Sequence, residues 1–149
     1  MRAVVQRVQD ARVRVDNLII GEIKKGLLVY LGVGKLDDSL DVDYLVNKVL
    51  GLRVFEDSNE KMNLSIGDIK GDILIISQFT LYGDVRKGKR PSFTDSADPN
   101  MGKEYYDSFI KKIKESGLKV ESGEFGANMQ VEYINDGPVT ILLDSKRLF

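Results

Sequence analysis

An alternation of apolar and polar residues with a period of two restricts the fold of this chain more than any other feature. Residues 11–15 have the sequence Ala-Arg-Val-Arg-Val, which predicts a β-strand that buries one face. Upstream, Val4 and Val8 stand at even positions, so the pattern slips by one residue near Gln9-Asp10. Such a slip predicts a β-bulge or a bend between two halves of the strand.

Other segments predict two helices and several more strands. Helical spacing extends from Ser39 to Leu50, with Asp38 or Ser39 as the N-cap and Gly51 as the stop. A second helix is predicted over Met101–Glu115, ended by Gly117. Predicted strands lie at Leu18–Ile23, Leu27–Val33, Leu52–Phe55, Ile73–Ile76, Met129–Tyr133 and Val139–Leu143, with turns at Asp16-Asn17 and Asn135–Pro138. We therefore predict one domain, residues 1–149, of the α+β or mixed α/β class, built on a curved sheet or barrel with two main helices.

The absence of histidine and cysteine limits the chemistry that the chain can perform. It excludes Ser-His and Cys-His catalysis, disulfides, and metal sites built from these two residues. No phosphate-binding loop, dinucleotide fingerprint or metal-ligand cluster is present, so we expect neither a cofactor nor a metal. A hydrolase of this composition must use carboxylates, a perturbed lysine, a preorganised oxyanion site or a group of the substrate.

Charge and hydropathy set expectations for partners and location. The formal net charge of −1 argues against broad coating of nucleic acid, although a local patch can still contact RNA. The apolar runs are too short to cross a bilayer, and the N-terminal residues lack the apolar core of a signal peptide. We therefore expect a cytoplasmic protein with no membrane partner.

Hydroxyl and amide side chains gather at the end of the strand predicted over Ile73–Ile76. Gln78 offers amide donors and Thr80 offers a hydroxyl and a backbone N–H, which suit an oxyanion that develops during ester cleavage. Strand alternation would place Gln78 and Thr80 on one face and Ser77 and Phe79 on the other. A polar strand end that satisfies a neighbouring loop is the alternative interpretation.

Three more segments carry candidate binding residues. Gly137-Pro138 predicts a tight turn, and a cis peptide bond there would aim two successive carbonyls the same way, although sequence does not specify the isomer. Residues 86–92 place four cations within five positions, which indicates either a phosphate contact or a solvated loop. Phe125–Met129 combines small residues with an aromatic ring and a thioether, which suits either a flat base or a hydrophobic core.

Together these segments resemble the D-aminoacyl-tRNA deacylase family, also described as D-tyrosyl-tRNA(Tyr) deacylases, across nearly the whole chain. Several separate motifs in the family's order make the resemblance specific. The similar stretches are residues 1–8, Gly26–Val29, Leu52–Phe55, Lys61–Asn63, Ser77–Leu81, Lys87-Gly88, Arg90–Phe93, Phe125–Ala127 and Asn135–Thr140. The resemblance implies that family's fold and hydrolysis of the ester that joins a D-amino acid to tRNA.

The resemblance also implies a homodimer with its active site at the subunit interface. Catalysis would rest on Gln78 and Thr80, with Ser77 and Phe79 in the pocket floor. Gly137-Pro138 of the other subunit would reach across the pocket as a Gly-cis-Pro unit and exclude L side chains with two main-chain carbonyls. Arg7 would help to hold that unit. The wall that receives the 3′-terminal adenosine of the tRNA would consist of Phe125, Gly126, Ala127 and Met129.

The missing histidine and the resemblance together favour substrate-assisted hydrolysis. The ribose hydroxyl beside the ester would help the attacking water, while Gln78 and the Thr80 N–H polarise the carbonyl. Glycyl-tRNA would be a secondary substrate. A Thr80 nucleophile with an acyl-enzyme ranks second, because no obvious base serves its hydroxyl. A non-catalytic RNA-end binding module and a hydrolase of another small activated ester are the rival functions, and no DNA partner is expected.

Overall fold

The computed structural model of the chain describes residues 1–149. Strands and helices alternate irregularly along the chain, as expected for an α+β domain. The strands are β1 (Arg2–Val15), β2 (Leu18–Ile23), β3 (Gly26–Gly32), β4 (Phe55–Glu56), β5 (Met62–Leu64), β6 (Asp72–Ser77), β7 (Val120–Ser122) and β8 (Gln130–Asp144). The α-helices are α1 (Ser39–Gly51) and α2 (Pro99–Lys114), and a short 3-10 turn covers Phe79–Tyr82. No helix is long and apolar enough to cross a membrane.

The long strand β1 organises the sheet. Its first half pairs antiparallel with β3, its second half pairs antiparallel with β2, and β8 pairs along its other edge. The predicted slip is confirmed, because the register between β1 and β8 shifts between Val8 and Ala11. Upstream of the slip Ala3 and Val5 are buried as well as Val8, since both faces of this part of the sheet are covered.

The main sheet curls into a nearly closed barrel. Its order is β2-β1-β3-β6-β7, with parallel pairing of β3 to β6 and of β6 to β7. A Cβ placed on Gly21 would lie only 3.1 Å from the Ser122 carbonyl oxygen, so β2 approaches β7 closely. The enclosed core consists of Val8, Ala11, Val13, Ile23, Leu28, Leu74 and Ile76.

Both helices pack on the outer face of the sheet, where the larger core lies. Helix α1 starts as predicted, with Asp38 and Asp41 forming a capping box, and Gly51 is its last residue. Helix α2 begins two residues earlier than predicted, because the Asp98 side chain accepts hydrogen bonds from the N–H groups of Asn100 and Met101. It ends at Lys114, one residue before the predicted end.

The strand predicted over Leu52–Phe55 is wrong for its first three residues, since β4 consists of Phe55 and Glu56 alone. The Val54 carbonyl accepts a hydrogen bond from Arg7 Nη1 at 2.7 Å, and Arg53 Nε donates to the Asn63 carbonyl at 2.8 Å. The segment is therefore held by side chains and not by a ladder of backbone hydrogen bonds.

The turn predicted over Asn135–Pro138 is also wrong. β8 continues through it without reversing, and all of its pairing is with β1. Asn135 pairs with Val8, and Thr140 pairs with Gln6. Residues 136–139 of β8 therefore lie opposite the single residue Arg7, and they bulge outward. The Asn135 amide closes this bulge by donating to the carbonyls of Arg7 at 2.9 Å and Val139 at 3.0 Å. We call residues 136–139 the β8 bulge.

Candidate active site

A cavity of about 590 Å³ lies between the end of β6, the start of α2 and the segment that leads into β8. It brings together two of the segments predicted from sequence, Ser77–Phe79 and Phe125–Met129, although 45 or more residues separate them along the chain. Its lining is mostly apolar, which is usual for a pocket that binds a small organic group. We call it the main cavity because the predicted segments line it, although a second cavity, of about 690 Å³, is larger.

The polar segment at the edge of the main cavity passes from the strand into a 3-10 turn and does not continue the strand. β6 ends at Ser77, and the Gln78 N–H still donates to the Leu31 carbonyl at 2.8 Å. The turn then begins at Phe79, so the strand alternation predicted through Thr80 is wrong beyond Ser77. Gln78 and Thr80 nevertheless meet, because Gln78 Nε2 donates a hydrogen bond to Thr80 Oγ1.

This turn leaves backbone donors free near the cavity. Its first internal hydrogen bonds run from the Leu81 N–H to the Gln78 carbonyl at 3.3 Å and from the Gly83 N–H to the Thr80 carbonyl at 2.9 Å. The N–H groups of Phe79 and Thr80 come too early in the turn to find an acceptor within it. Thr80 is exposed, and Gln78 is half-buried. A carbonyl oxygen placed here would meet an amide side chain and backbone N–H groups.

Aromatic rings form the rim and wall of the main cavity. Phe79, which is 57% exposed, packs edge-on against Phe93 with ring centroids 5.0 Å apart. On the opposite side the ring of Phe125 lies 5.8 Å from that of Tyr106. A Cβ on Gly102 of helix α2 would lie 3.2 Å from Phe125 Cζ, so a larger residue there would press on this ring. Two pairs of aromatic rings therefore line the cavity.

Tyr106 is a cavity residue that sequence reasoning missed. A spacing of i, i+4 and i+8 with Phe109 and Ile113 predicts that Tyr105 is buried, but Tyr106 is the tyrosine that is fully buried, and Tyr105 is only partly so. The Tyr106 hydroxyl donates to the Ile75 carbonyl at 2.8 Å, and burial raises its pKa above the ordinary value. It stays protonated near neutral pH and ties α2 to β6. Phe93, which ends one of the stretches that resemble the family, also lines the cavity, as do Ala97 and Gly102, which carried no sequence signal beyond their residue type.

Four of the predicted site residues do not line the main cavity of their own chain: Arg7, Thr80, Gly137 and Pro138. Gly137 and Pro138 are exposed in the β8 bulge, and the peptide bond between them is cis. Arg7 is buried beneath the bulge, where Nε donates to the Asp136 carbonyl at 3.2 Å and lies 3.3 Å from Asp136 Oδ2. The structure of one chain thus leaves the bulge exposed and outside the lining of the main cavity.

The predicted basic segment forms a protruding loop beside the main cavity. Backbone hydrogen bonds between Asp84 and Ser92 pinch its base, at 2.8 and 2.9 Å. The Arg86 guanidinium pairs with Asp84 at 2.8 Å and holds the pKa of that carboxyl at about 2. Lys87, Lys89 and Arg90 are exposed, and none of them has a carboxylate within 4.0 Å. The loop tip therefore presents three unpaired cations.

Elsewhere no group of three or more acidic side chains is arranged to hold a metal ion.

Known proteins resemble this chain over its full length. A family model described as D-Tyr-tRNA(Tyr) deacylase matches residues 4–144. The D-aminoacyl-tRNA deacylase of Thermosipho melanesiensis is 65% identical over 150 residues, and that of Clostridioides difficile is 58% identical over 149 residues, each alignment covering 100% of both chains.

Two solved structures are similar in fold. One is described as c-Myc DNA Unwinding Element Binding Protein, with a TM-score of 0.91, 40% identity, and coverage of 97% of this chain and 98% of that one. The other is described as a probable eukaryotic D-amino acid tRNA deacylase, with a TM-score of 0.82, 21% identity, and coverage of 95% and 97%. At that identity the second structure supports the fold alone.

Proposed function

The chain belongs to the D-Tyr-tRNA(Tyr) deacylase family and is a D-aminoacyl-tRNA deacylase, a hydrolase of ester bonds, and we propose that its main cavity is where the ester is cut. The observation that carries this proposal is the meeting of Ser77–Phe79 with Phe125–Met129 around one apolar cavity. The adenine of the tRNA end would lie along the aromatic wall, and the ester would lie at the turn that carries Gln78 and Thr80.

The chemistry we propose uses orientation and hydrogen-bond donors. The Thr80 N–H and the Gln78 amide would stabilise the negative charge that develops on the carbonyl oxygen as water adds to the ester. The adjacent 2′-hydroxyl of the ribose would orient that water or take its proton. The tetrahedral intermediate then collapses, the ester C–O bond breaks, and the ribose oxygen leaves with a proton. Free D-amino acid and tRNA are the products, without a covalent enzyme intermediate.

We propose that the working unit is a homodimer with the active site at its interface. β8 pairs only with β1, so its other edge is unpaired along a strand of 15 residues. Apolar side chains on this strand are also exposed: Tyr133 at 39%, Ile134 at 52% and Leu142 at 58%. A long edge strand with exposed apolar residues is a surface for pairing with another chain. Pairing there would give the outward-facing β8 bulge a second subunit to contact.

In such a dimer, Gly137 and Pro138 of one subunit would lie over the main cavity of the other. Their main-chain carbonyls would occupy the space that an L side chain needs, while leaving the D side chain free. Arg7 would fix the bulge through its contacts with Asp136. Because glycine has no side chain to reject, glycyl-tRNA attached to a non-cognate tRNA would be a secondary substrate.

The direct test is incubation of the purified protein with D-tyrosyl-tRNA and L-tyrosyl-tRNA. We expect release of free D-tyrosine and a strong preference for the D form, because main-chain atoms reject the L side chain. Tight tRNA binding without release would support a non-catalytic RNA-end binding module instead. Equal cleavage of a bare D-tyrosine ester would support a general hydrolase of activated esters.

The basic loop provides a second expected result. Replacing Lys87, Lys89 and Arg90 together with serine is expected to raise KM for D-aminoacyl-tRNA by about tenfold and to make binding less sensitive to salt, since three phosphate contacts are lost. kcat should stay near the wild-type value, because the loop tip carries no proposed catalytic group. The measurement is steady-state kinetics at two salt concentrations.

Arg86→Ser is the matched control for the loop, because Asp84 already neutralises Arg86. It should change KM much less than the triple variant does. A triple variant with wild-type KM and salt dependence would remove the loop from the tRNA contact. Duplex DNA should be tested as a competitor in the same series. Because the protein has a net charge of −1, we expect duplex DNA to compete poorly.

A further inference from the structure

The back of the 3-10 turn, opposite the main cavity, contacts a cluster of charged and aromatic groups that the proposed chemistry does not use. The cluster consists of Arg2, Asp37, Tyr82 and Asp144, and we call it the turn-holding cluster. Its members come from β1, the loop after β3, the turn itself and the end of β8. Asp37 and Asp144 are buried, at 7% and 5% exposure. Buried carboxylates are costly unless they are paired, so their partners have well-defined positions.

Arg2 connects the cluster to the main chain of the turn. Its Nη1 donates to the Leu81 carbonyl at 2.9 Å, and its Nε donates to Asp144 Oδ2 at 3.1 Å. The guanidinium also lies over the ring of Tyr82, with Cζ 4.6 Å from the ring centroid. A planar guanidinium can make all three contacts at once, which an ammonium cannot.

Tyr82 provides the second attachment. Its hydroxyl donates to Asp37 Oδ2 at 3.2 Å, and the Gly34 N–H donates to the same oxygen at 2.6 Å. Asp37 Oδ1 lies 2.6 Å from the amino group of Met1, which fixes the carboxylate from the other side. Burial raises the pKa of the Tyr82 hydroxyl, so it remains a donor at neutral pH.

The turn needs such support from outside. Four residues in a 3-10 conformation have weak internal hydrogen-bond geometry, and here the first of those bonds is 3.3 Å long. A shift of this turn would move the Gln78 side chain and the Thr80 N–H together. We propose that Arg2 and Tyr82 are positioning residues that hold the turn in the geometry needed for ester cleavage, an inference that rests on the proposed function of that turn.

The test compares Arg2→Ala, Arg2→Lys and Tyr82→Phe with Lys112→Ala. Lys112 is a matched control, because it is a half-buried cation that lies outside the turn-holding cluster and pairs Asp43 of α1 with α2. We expect Arg2→Ala to lower kcat by about tenfold to a hundredfold with little change in KM, because the Gln78 amide and the Thr80 N–H would be misplaced. Arg2→Lys should recover part of the loss, and Tyr82→Phe should give a smaller one. Lys112→Ala should keep the wild-type kcat.

A second measurement does not depend on activity. Amide hydrogen exchange in peptides covering residues 79–83 should become faster in Arg2→Ala and stay unchanged in Lys112→Ala. If the wild-type protein does not cleave D-aminoacyl-tRNA but exchange is still faster in Arg2→Ala, the proposed function is wrong. The role of Arg2 in holding the turn is then still supported. The inference is overturned if amide exchange of residues 79–83 is the same in Arg2→Ala as in Lys112→Ala. It is also overturned if Arg2→Ala changes only KM, or if its lower activity is explained by unfolding of the whole protein.

Discussion

Replacing Gly137 with alanine is expected to lower the preference for D- over L-tyrosyl-tRNA by at least tenfold and to lower D-tyrosyl-tRNA cleavage as well. Gly137 has a φ of +118°, a conformation that residues with a side chain rarely adopt. A Cβ there would lie 2.9 Å from Arg7 Nη2 and 3.0 Å from Val139 Cγ2. The β8 bulge or the Arg7 side chain that holds it must therefore shift, and a displacement of about 1 Å in a positioning group can cost about a hundredfold in rate. The measurement is kcat/KM for both substrates.

Gly117→Ala separates this effect from the general cost of placing a side chain at positive φ. Gly117 has a φ of +80° and follows the end of α2, and a Cβ added to it would meet nothing within 4 Å. It should lose about 1 kcal/mol of stability from the strained φ, a cost that Gly137→Ala shares, with no change in stereoselectivity. An unaltered D-to-L ratio in a folded Gly137→Ala protein would remove the β8 bulge from the selection of substrate.

Gln78→Ala is expected to lower kcat for D-tyrosyl-tRNA by about a hundredfold or more, the usual effect of removing an oxyanion donor. Thr80→Ala should retain most of the activity, because its backbone N–H remains and only the hydroxyl that accepts from Gln78 is lost. Single-turnover kinetics of both variants would measure the chemical step apart from product release.

The pair of variants also distinguishes the two mechanisms. A Thr80 nucleophile would make Thr80→Ala the more damaging change, and rapid quenching of wild-type enzyme would then trap an aminoacyl ester on Thr80. Substrate assistance predicts instead that a tRNA ending in 2′-deoxyadenosine is cleaved slowly by every variant. Activity that is unaffected by Gln78→Ala would contradict its role as a donor.

Local patterns in the sequence predicted most of the elements. The apolar residues Val42, Leu45 and Val49 repeat at helical spacing and are all buried in α1. The continuous apolar run in β3 indicated a strand covered on both faces, and Leu28 does pack in the enclosed core while Leu27 and Val29 pack in the larger core. The lack of histidine excluded a histidine-based triad whatever the fold. Such features follow from composition and from preferences among near neighbours, which a single sequence contains.

The tertiary structure decided the features that depend on distant partners. Whether Gly137-Pro138 reverses the chain or bulges from a continuing strand depends on pairing with β1, more than 120 residues away, and local sequence signals a turn in either case. The 3-10 turn after Ser77 and the burial of Tyr106 instead of Tyr105 likewise depend on contacts between elements. Sequence by itself therefore determined most of the elements, the excluded chemistry and the candidate residues. Only the fold decided which of those residues share a cavity, because long-range packing overrides local preference.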